Sequence, residues 1–218
     1  MSESCNKIHL WFNELKNLKF PYDEKDIPQN GIYILFEKGE SSHNTNRIVR
    51  IGTHTGNNQL ISRIRQHFIK ENKDRSIFRK NIGRALLNKD KDPFLKEWEL
   101  DLTTKKSKEE NLSLIDFRKQ KEVEKRVTQY IQENFTFVVF EVKEKNKRLE
   151  LESKIISTVS SCEECRPSNN WLGLFSTKEK IKKGGLWLVN ELYKKPLEER
   201  DLKNLESSLM QSKPKIIK

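Results

Sequence analysis

One acid stands out by its position. Between Leu149 and Val159, the apolar residues Leu149, Ile155, Ile156 and Val159 recur at helical spacing, and Glu152 falls on their face. A carboxylate on an apolar stripe points inward, where burial is costly unless an arginine pairs with it or a cation binds it. Mg²⁺ suits such a place, because it takes one or two carboxylates, keeps several waters and accepts a phosphate oxygen. Glu150 instead shares a polar face with Ser153, Lys154 and Ser157 and reads as a solvated charge. A second helical stripe, Leu60, Ile64 and Phe68, carries Arg63 and His67 four residues apart on one flank and Arg65 on the other. Taken alone, an Arg and a His on a helix flank are solvated residues. Tyr33 lies in a run of strand formers, where an aromatic ordinarily packs in the core. Cys162-Glu-Glu-Cys165 has the spacing of half a zinc site, but no second ligand pair follows at suitable spacing, so Cys5, Cys162 and Cys165 are expected to be ordinary thiols.

The triplets Gly31-Ile32-Tyr33 and Arg50-Ile51-Gly52 resemble the paired motif of the GIY-YIG nucleases. In that family the helix after the second motif carries an Arg with a His or Tyr four residues on, and Arg63 and His67 match it. A Glu on a late helix matches Glu152, and Asn169 and Asn170 in Ser168-Asn-Asn-Trp-Leu-Gly173 compete for the following Asn, with Asn170 favoured by its place beside Trp171. More narrowly, Val49-Arg-Ile-Gly-Thr-His54, Ser76-Ile-Phe-Arg79, Asn170-Trp-Leu-Gly173 and Gly185-Leu-Trp187 are similar to a subgroup of bacterial members.

The resemblance implies hydrolysis of DNA phosphodiester bonds, with Mg²⁺ or Mn²⁺ held by Glu152. Arg63 would bind the scissile phosphate, Tyr33 would serve as general base or orienting group, and His67 would hydrogen-bond the water or the phosphate. Asn170 would order the metal side. Arg50 replaces the family's second tyrosine, with a basic side chain that can ground a phosphate, and His54 is near enough in sequence to share the site. Lys70, Lys73, Arg79 and Lys80 would extend the nucleic-acid surface. The missing tyrosine keeps open a non-catalytic DNA-binding protein on the same scaffold.

The elements that must position these residues follow from periodicity. Gly31–Phe36 and Ile48–Ile51 read as a hairpin, Leu60–Phe68 as an amphipathic helix, and Phe78, Ile82 and Leu86 as a second helix with Ser76 as its start signal. Phe135–Val142 is the strongest strand, with the Glu152 helix behind it. The expected fold is α+β, a small and mainly antiparallel sheet flanked by helices. Residues 1–30 form a lead-in, 31–190 the nuclease-like domain with a helical insertion at about 88–134, and 191–218 a polar tail. A formal charge of +11 over 218 residues favours a polyanionic partner, DNA, since each phosphate neutralised by Lys or Arg releases counterions. No apolar run is long enough to span a bilayer, and the few, unevenly placed cysteines fit a reducing, cytoplasmic setting.

Overall fold

The computed structural model describes residues 2–212. Four strands, β1 (Leu18–Lys19), β2 (Gly31–Ser42), β3 (Thr45–Gly52) and β4 (Phe135–Glu141), form one antiparallel sheet in the order β1-β4-β2-β3. Nine α-helices surround it among the described residues: α1 (Ser2–Asn13), α2 (Leu60–Phe68), α3 (Ile77–Lys89), α4 (Leu95–Glu99), α5 (Lys105–Asn111), α6 (Phe117–Asn134), α7 (Lys145–Ser160), α8 (Glu179–Gly184) and α9 (Glu199–Ser212). The fold is α+β, as the sequence predicts, with both strands of the hairpin longer than their apolar runs.

Strand side chains alternate between faces, so a sheet covered on both sides carries two cores. Ile32, Ile34, Phe36, Val138 and Phe140 pack with residues of α1, α7 and α9 on one face. Tyr33, Leu35, Phe135 and Phe137 pack with α2, α3 and α6 on the other. This explains the unbroken apolar run of β2, which is buried from Gly31 to Glu37. His43 and Asn44, both at positive φ (51° and 57°), make the two-residue turn between β2 and β3.

The ends and the middle are more integral than their composition suggests. Cys5, Ile8 and Phe12 of α1 enter the core, as do Leu202, Leu205 and Leu209 of α9, so part of the expected polar tail is an amphipathic helix. Residues 213–218 of that tail lie outside the described residues. In the 88–134 segment, Trp98 lies against Gly83 of α3 and donates its indole N–H to the Lys80 carbonyl at 3.0 Å. Val123, Val127 and Ile131 of α6 join the core of that face. At roughly 1.5–3 kcal/mol for each fully buried large side chain, these residues help hold the main layer. No helix among the described residues is long and apolar enough to cross a membrane.

Candidate active site

The site begins with strand register. Tyr33 on β2 stands opposite Gly52 on β3, which brings the two motif triplets side by side. A Cβ at Gly52 would collide with the Tyr33 phenol, so glycine is what allows the ring to lie there. Between the pairs Leu35↔Arg50 and Phe36↔Ile48, Val49 is an extra residue, a β-bulge. The bulge turns Arg50 to the Tyr33 face; without it, Arg50 would follow Ile48 into the opposite core.

Tyr33, Arg50 and His67 form one buried network. The Tyr33 hydroxyl is 2.8 Å from Nε2 of His67 and accepts from Arg50 Nε at 3.3 Å. His67 Nδ1 is 2.7 Å from Ser76 Oγ, and Ser76 also caps α3 by accepting from the Arg79 N–H. One residue thus starts a helix and fixes an imidazole. The remainder of Arg50 is held by the Trp187 carbonyl at 2.5 Å and by the Phe78 ring, 5.1 Å from its guanidinium carbon. The Trp187 segment also bonds to β3 through its own N–H to the Val49 carbonyl (2.8 Å), covering the sheet's open edge. His67 is fully buried, so it meets Tyr33 and Ser76 and does not face bulk water or a phosphate, as the family pattern would have it. Burial, followed by the charges of Arg63, Arg50 and Arg79, holds its pKa well below the usual histidine range. It is therefore neutral at pH 7.

Glu152 on α7 reaches the end of β3, where its Oε1 accepts from the Thr53 N–H at 2.9 Å. Thr53 is itself fixed by donating Oγ1–H to the Gly31 carbonyl (2.7 Å). Oε2 has no hydrogen-bond partner among the described residues. Burial pushes the Glu152 carboxyl up, against the pull of Arg50, Thr53 and Arg63, and Glu191 pushes it further up. Glu191, whose carboxylate accepts from Ser153 Oγ at 2.5 Å, is a second acid that the sequence did not single out. Arg63 is half-buried, with Nη1 donating to Gln66 Oε1 (3.0 Å) and to the Arg75 carbonyl (3.2 Å). Glu150, as expected, lies on the exposed side and pairs with Lys154 at 2.7 Å.

Several expected participants stand elsewhere. Both ring nitrogens of His54 serve the backbone: Nδ1 donates to the Gly56 carbonyl (2.7 Å), and Nε2 accepts from the Gly31 N–H (3.4 Å). That leaves no lone pair for a water, and burial lowers its pKa. Asn170 is exposed in a turn, with no side-chain hydrogen bond to the Glu152 group. Its neighbour Trp171 donates instead to the buried Glu37, as do Trp187 and Tyr130.

The expected nucleic-acid surface also needs correction. Lys70 is exposed, but Lys73, Arg79 and Lys80 are inside the protein. Lys73 Nζ donates to the Leu100 carbonyl (2.8 Å) and pairs with Asp74, while Lys80 Nζ donates to the Glu99 carbonyl (2.9 Å). Arg79 forks onto Glu124 at 2.6 and 3.0 Å and reaches the His67 carbonyl and Thr128 Oγ1. These contacts tie α3 to α6 and support His67 from behind. Arg79→Ala leaves Glu124 buried and unpaired, so urea unfolding should show a loss of about 3–5 kcal/mol. A variant carrying both Arg79→Met and Glu124→Leu should recover most of it.

A sheet-bound hairpin with paired glycines, an arginine on the following helix and an acid at the strand end together define a GIY-YIG nuclease-like module. A family model described as a GIY-YIG domain matches residues 5–215, nearly the whole chain, including both ends and the 88–134 segment. The chain belongs to the GIY-YIG family, whose members are generally endonucleases. Comparisons with curated proteins and with solved structures found no match.

Proposed function

We propose that the protein is an endonuclease that hydrolyses DNA phosphodiester bonds, using one divalent cation, Mg²⁺ or Mn²⁺, held at Glu152. One observation carries this reading. An acid with an uncommitted oxygen faces Arg50 and Arg63 at the Gly52 end of β3, beside the Tyr33–His67 pair. A hard oxygen donor fits those ions better than it fits zinc. When bound, such an ion supplies Lewis acidity at the scissile phosphate and its leaving oxygen.

The chain's own residues do the rest. Arg63 binds the phosphate and counters the charge that builds in the transition state. Tyr33 takes a proton from the attacking water as its own passes to Nε2 of His67, whose Nδ1–H is held by Ser76. Burial, and after it the charges of Arg63, Arg50 and Arg79, make His67 a weak acceptor in the free protein. An arriving phosphate offsets Arg50 and Arg63 and so raises its basicity.

The direct test is to incubate the protein with supercoiled plasmid and Mg²⁺ or Mn²⁺, with an EDTA control. Metal-dependent nicking is expected. One observation favours a second reading, a DNA-binding protein without catalysis: the Tyr33 side chain is fully enclosed, so water reaches it only if the residues over it move. Binding without nicking would establish that alternative. For Arg63→Ala, single-turnover cleavage at saturating DNA should fall by roughly 10²–10³-fold, with affinity changed only a few-fold, because a transition-state contact acts on the chemical step.

A further inference from the structure

Away from Gly52, at the turn end of the hairpin, the chain gathers all three of its cysteines and two of its four histidines. Cys5 and His9 come from α1, His43 from the β2–β3 turn, and Cys162 and Cys165 from the loop after α7. Cys5 Sγ is 3.4 Å from Cys165 Sγ. His43 Nε2 lies 3.4 Å from Cys162 Sγ and 3.6 Å from Cys165 Sγ. Zinc at about 2.3 Å from sulfur and about 2.0–2.1 Å from nitrogen has tetrahedral edges of about 3.8 Å between sulfurs and about 3.6 Å from sulfur to nitrogen. These three spacings are close to those edges, and the side chains of the group are buried.

Five donors compete for four places. Donor atoms of Cys5, His9, His43 and Cys165 all lie within 4.8 Å of one another, which makes His9 a rival to Cys162. Hydrogen bonding decides between them. His9 Nε2 lies 3.8 Å from Cys165 Sγ, but it already accepts from the Ile48 N–H (3.3 Å) while Nδ1 donates to the Cys5 carbonyl (2.9 Å), so both nitrogens are satisfied by backbone. His43 has its Nε2 free to face the sulfurs, while its Nδ1 is 3.3 Å from the Glu164 carboxylate. A ligating histidine whose far nitrogen is held by a carboxylate is a usual arrangement at zinc.

We propose that Cys5, Cys162, Cys165 and His43 bind one Zn²⁺ as a closed, structural site, with His9 packed beneath it. Closed Cys₃His sites hold zinc without an open position for a substrate. This one would fasten the N-terminal helix to the hairpin turn and to the segment after α7, joining residues 160 positions apart. It is separate from the oxygen-donor site at Glu152 and stands whether or not DNA is cut.

The test uses the full chain, purified under reducing conditions from zinc-supplemented culture. Elemental analysis should find about one zinc per chain, released in step with titration of the three thiols. Removing it with a chelator should lower Tm by about 10 °C or more, and Zn²⁺ should restore it. Co²⁺ exchanged into the site should give the intense visible bands of a tetrahedral ion together with thiolate-to-cobalt charge transfer. Cys162→Ser and His43→Ala should each weaken zinc retention at least about tenfold against a chelator, while His9→Gln retains it. Wild-type protein that carries no zinc and gains neither metal nor Tm on its addition would overturn the site, whatever the variants do. Loss in His9→Gln with retention in Cys162→Ser would overturn the ligand set.

Discussion

Glu152→Gln should reduce single-turnover DNA cleavage by roughly three orders of magnitude or more, while DNA affinity in the absence of metal stays within a few-fold. The amide keeps the side chain's size and an oxygen that can accept from the Thr53 N–H, but loses the charge that would hold a divalent cation. Stability supplies an independent readout. Burial outweighs Arg50 and Arg63 and raises the carboxyl's pKa in the fold, so the stabilising form is the protonated one, favoured at low pH and lost as pH rises through the folded value. At pH 7 the ionised carboxylate therefore weakens the fold, and the Gln variant should melt no lower than wild type. Glu150→Gln should change little, since that side chain pairs with Lys154 at the surface. An essential Glu150 with a dispensable Glu152 would reverse the assignment of the helix faces.

Local periodicity made much of this fold legible. The hairpin, α2, α3, β4 and α7 each announce themselves within about a dozen residues, and the register of α7 separates Glu152 from Glu150. α9 escapes the sequence reading: Leu202, Leu205 and Leu209 repeat at helical spacing, but the polar residues around them make 191–218 read as a polar tail. What stayed hidden depends on partners far along the chain. Arg79 and Lys80 look like surface cations in sequence, and only the approach of Glu124, 45 residues away, and of the Glu99 carbonyl shows why they are inside. Cys162 and Cys165 lacked further ligands by spacing, and the fold supplies Cys5 and His43 from elements remote in the chain. Arg50 needed the Val49 bulge, an irregularity of pairing that no single-strand pattern encodes.

Tyr33→Phe should lower the single-turnover rate by roughly two to four orders of magnitude, the range for losing a general base, with folding and DNA affinity nearly unchanged. A phenol in water ionises only near pH ~10, so a base role at neutral pH requires an acceptor for its proton. His67 Nε2, 2.8 Å away, is that acceptor, and Arg50 Nε steadies the oxygen left behind. The pH profile tests the relay separately from the hydroxyl. Because burial keeps His67 neutral well below pH 6.5 in the free protein, protonating it should produce an acid limb in the rate, and a rate that does not fall towards acid pH would contradict the relay. His67→Gln, retaining a polar group beside Tyr33 without the basicity of imidazole, should lose most of the rate and the His-dependent part of that limb. His54→Ala should cost far less, since both of its nitrogens bind backbone, and its effect should appear as lowered stability around Gly31 and Gly56. If Tyr33→Phe cleaves at a near-normal rate, Tyr33 is a packing residue and the water is activated without it; because His54 has no free nitrogen, the base would then have to come from the acids at the end of β3, Glu152 or Glu191.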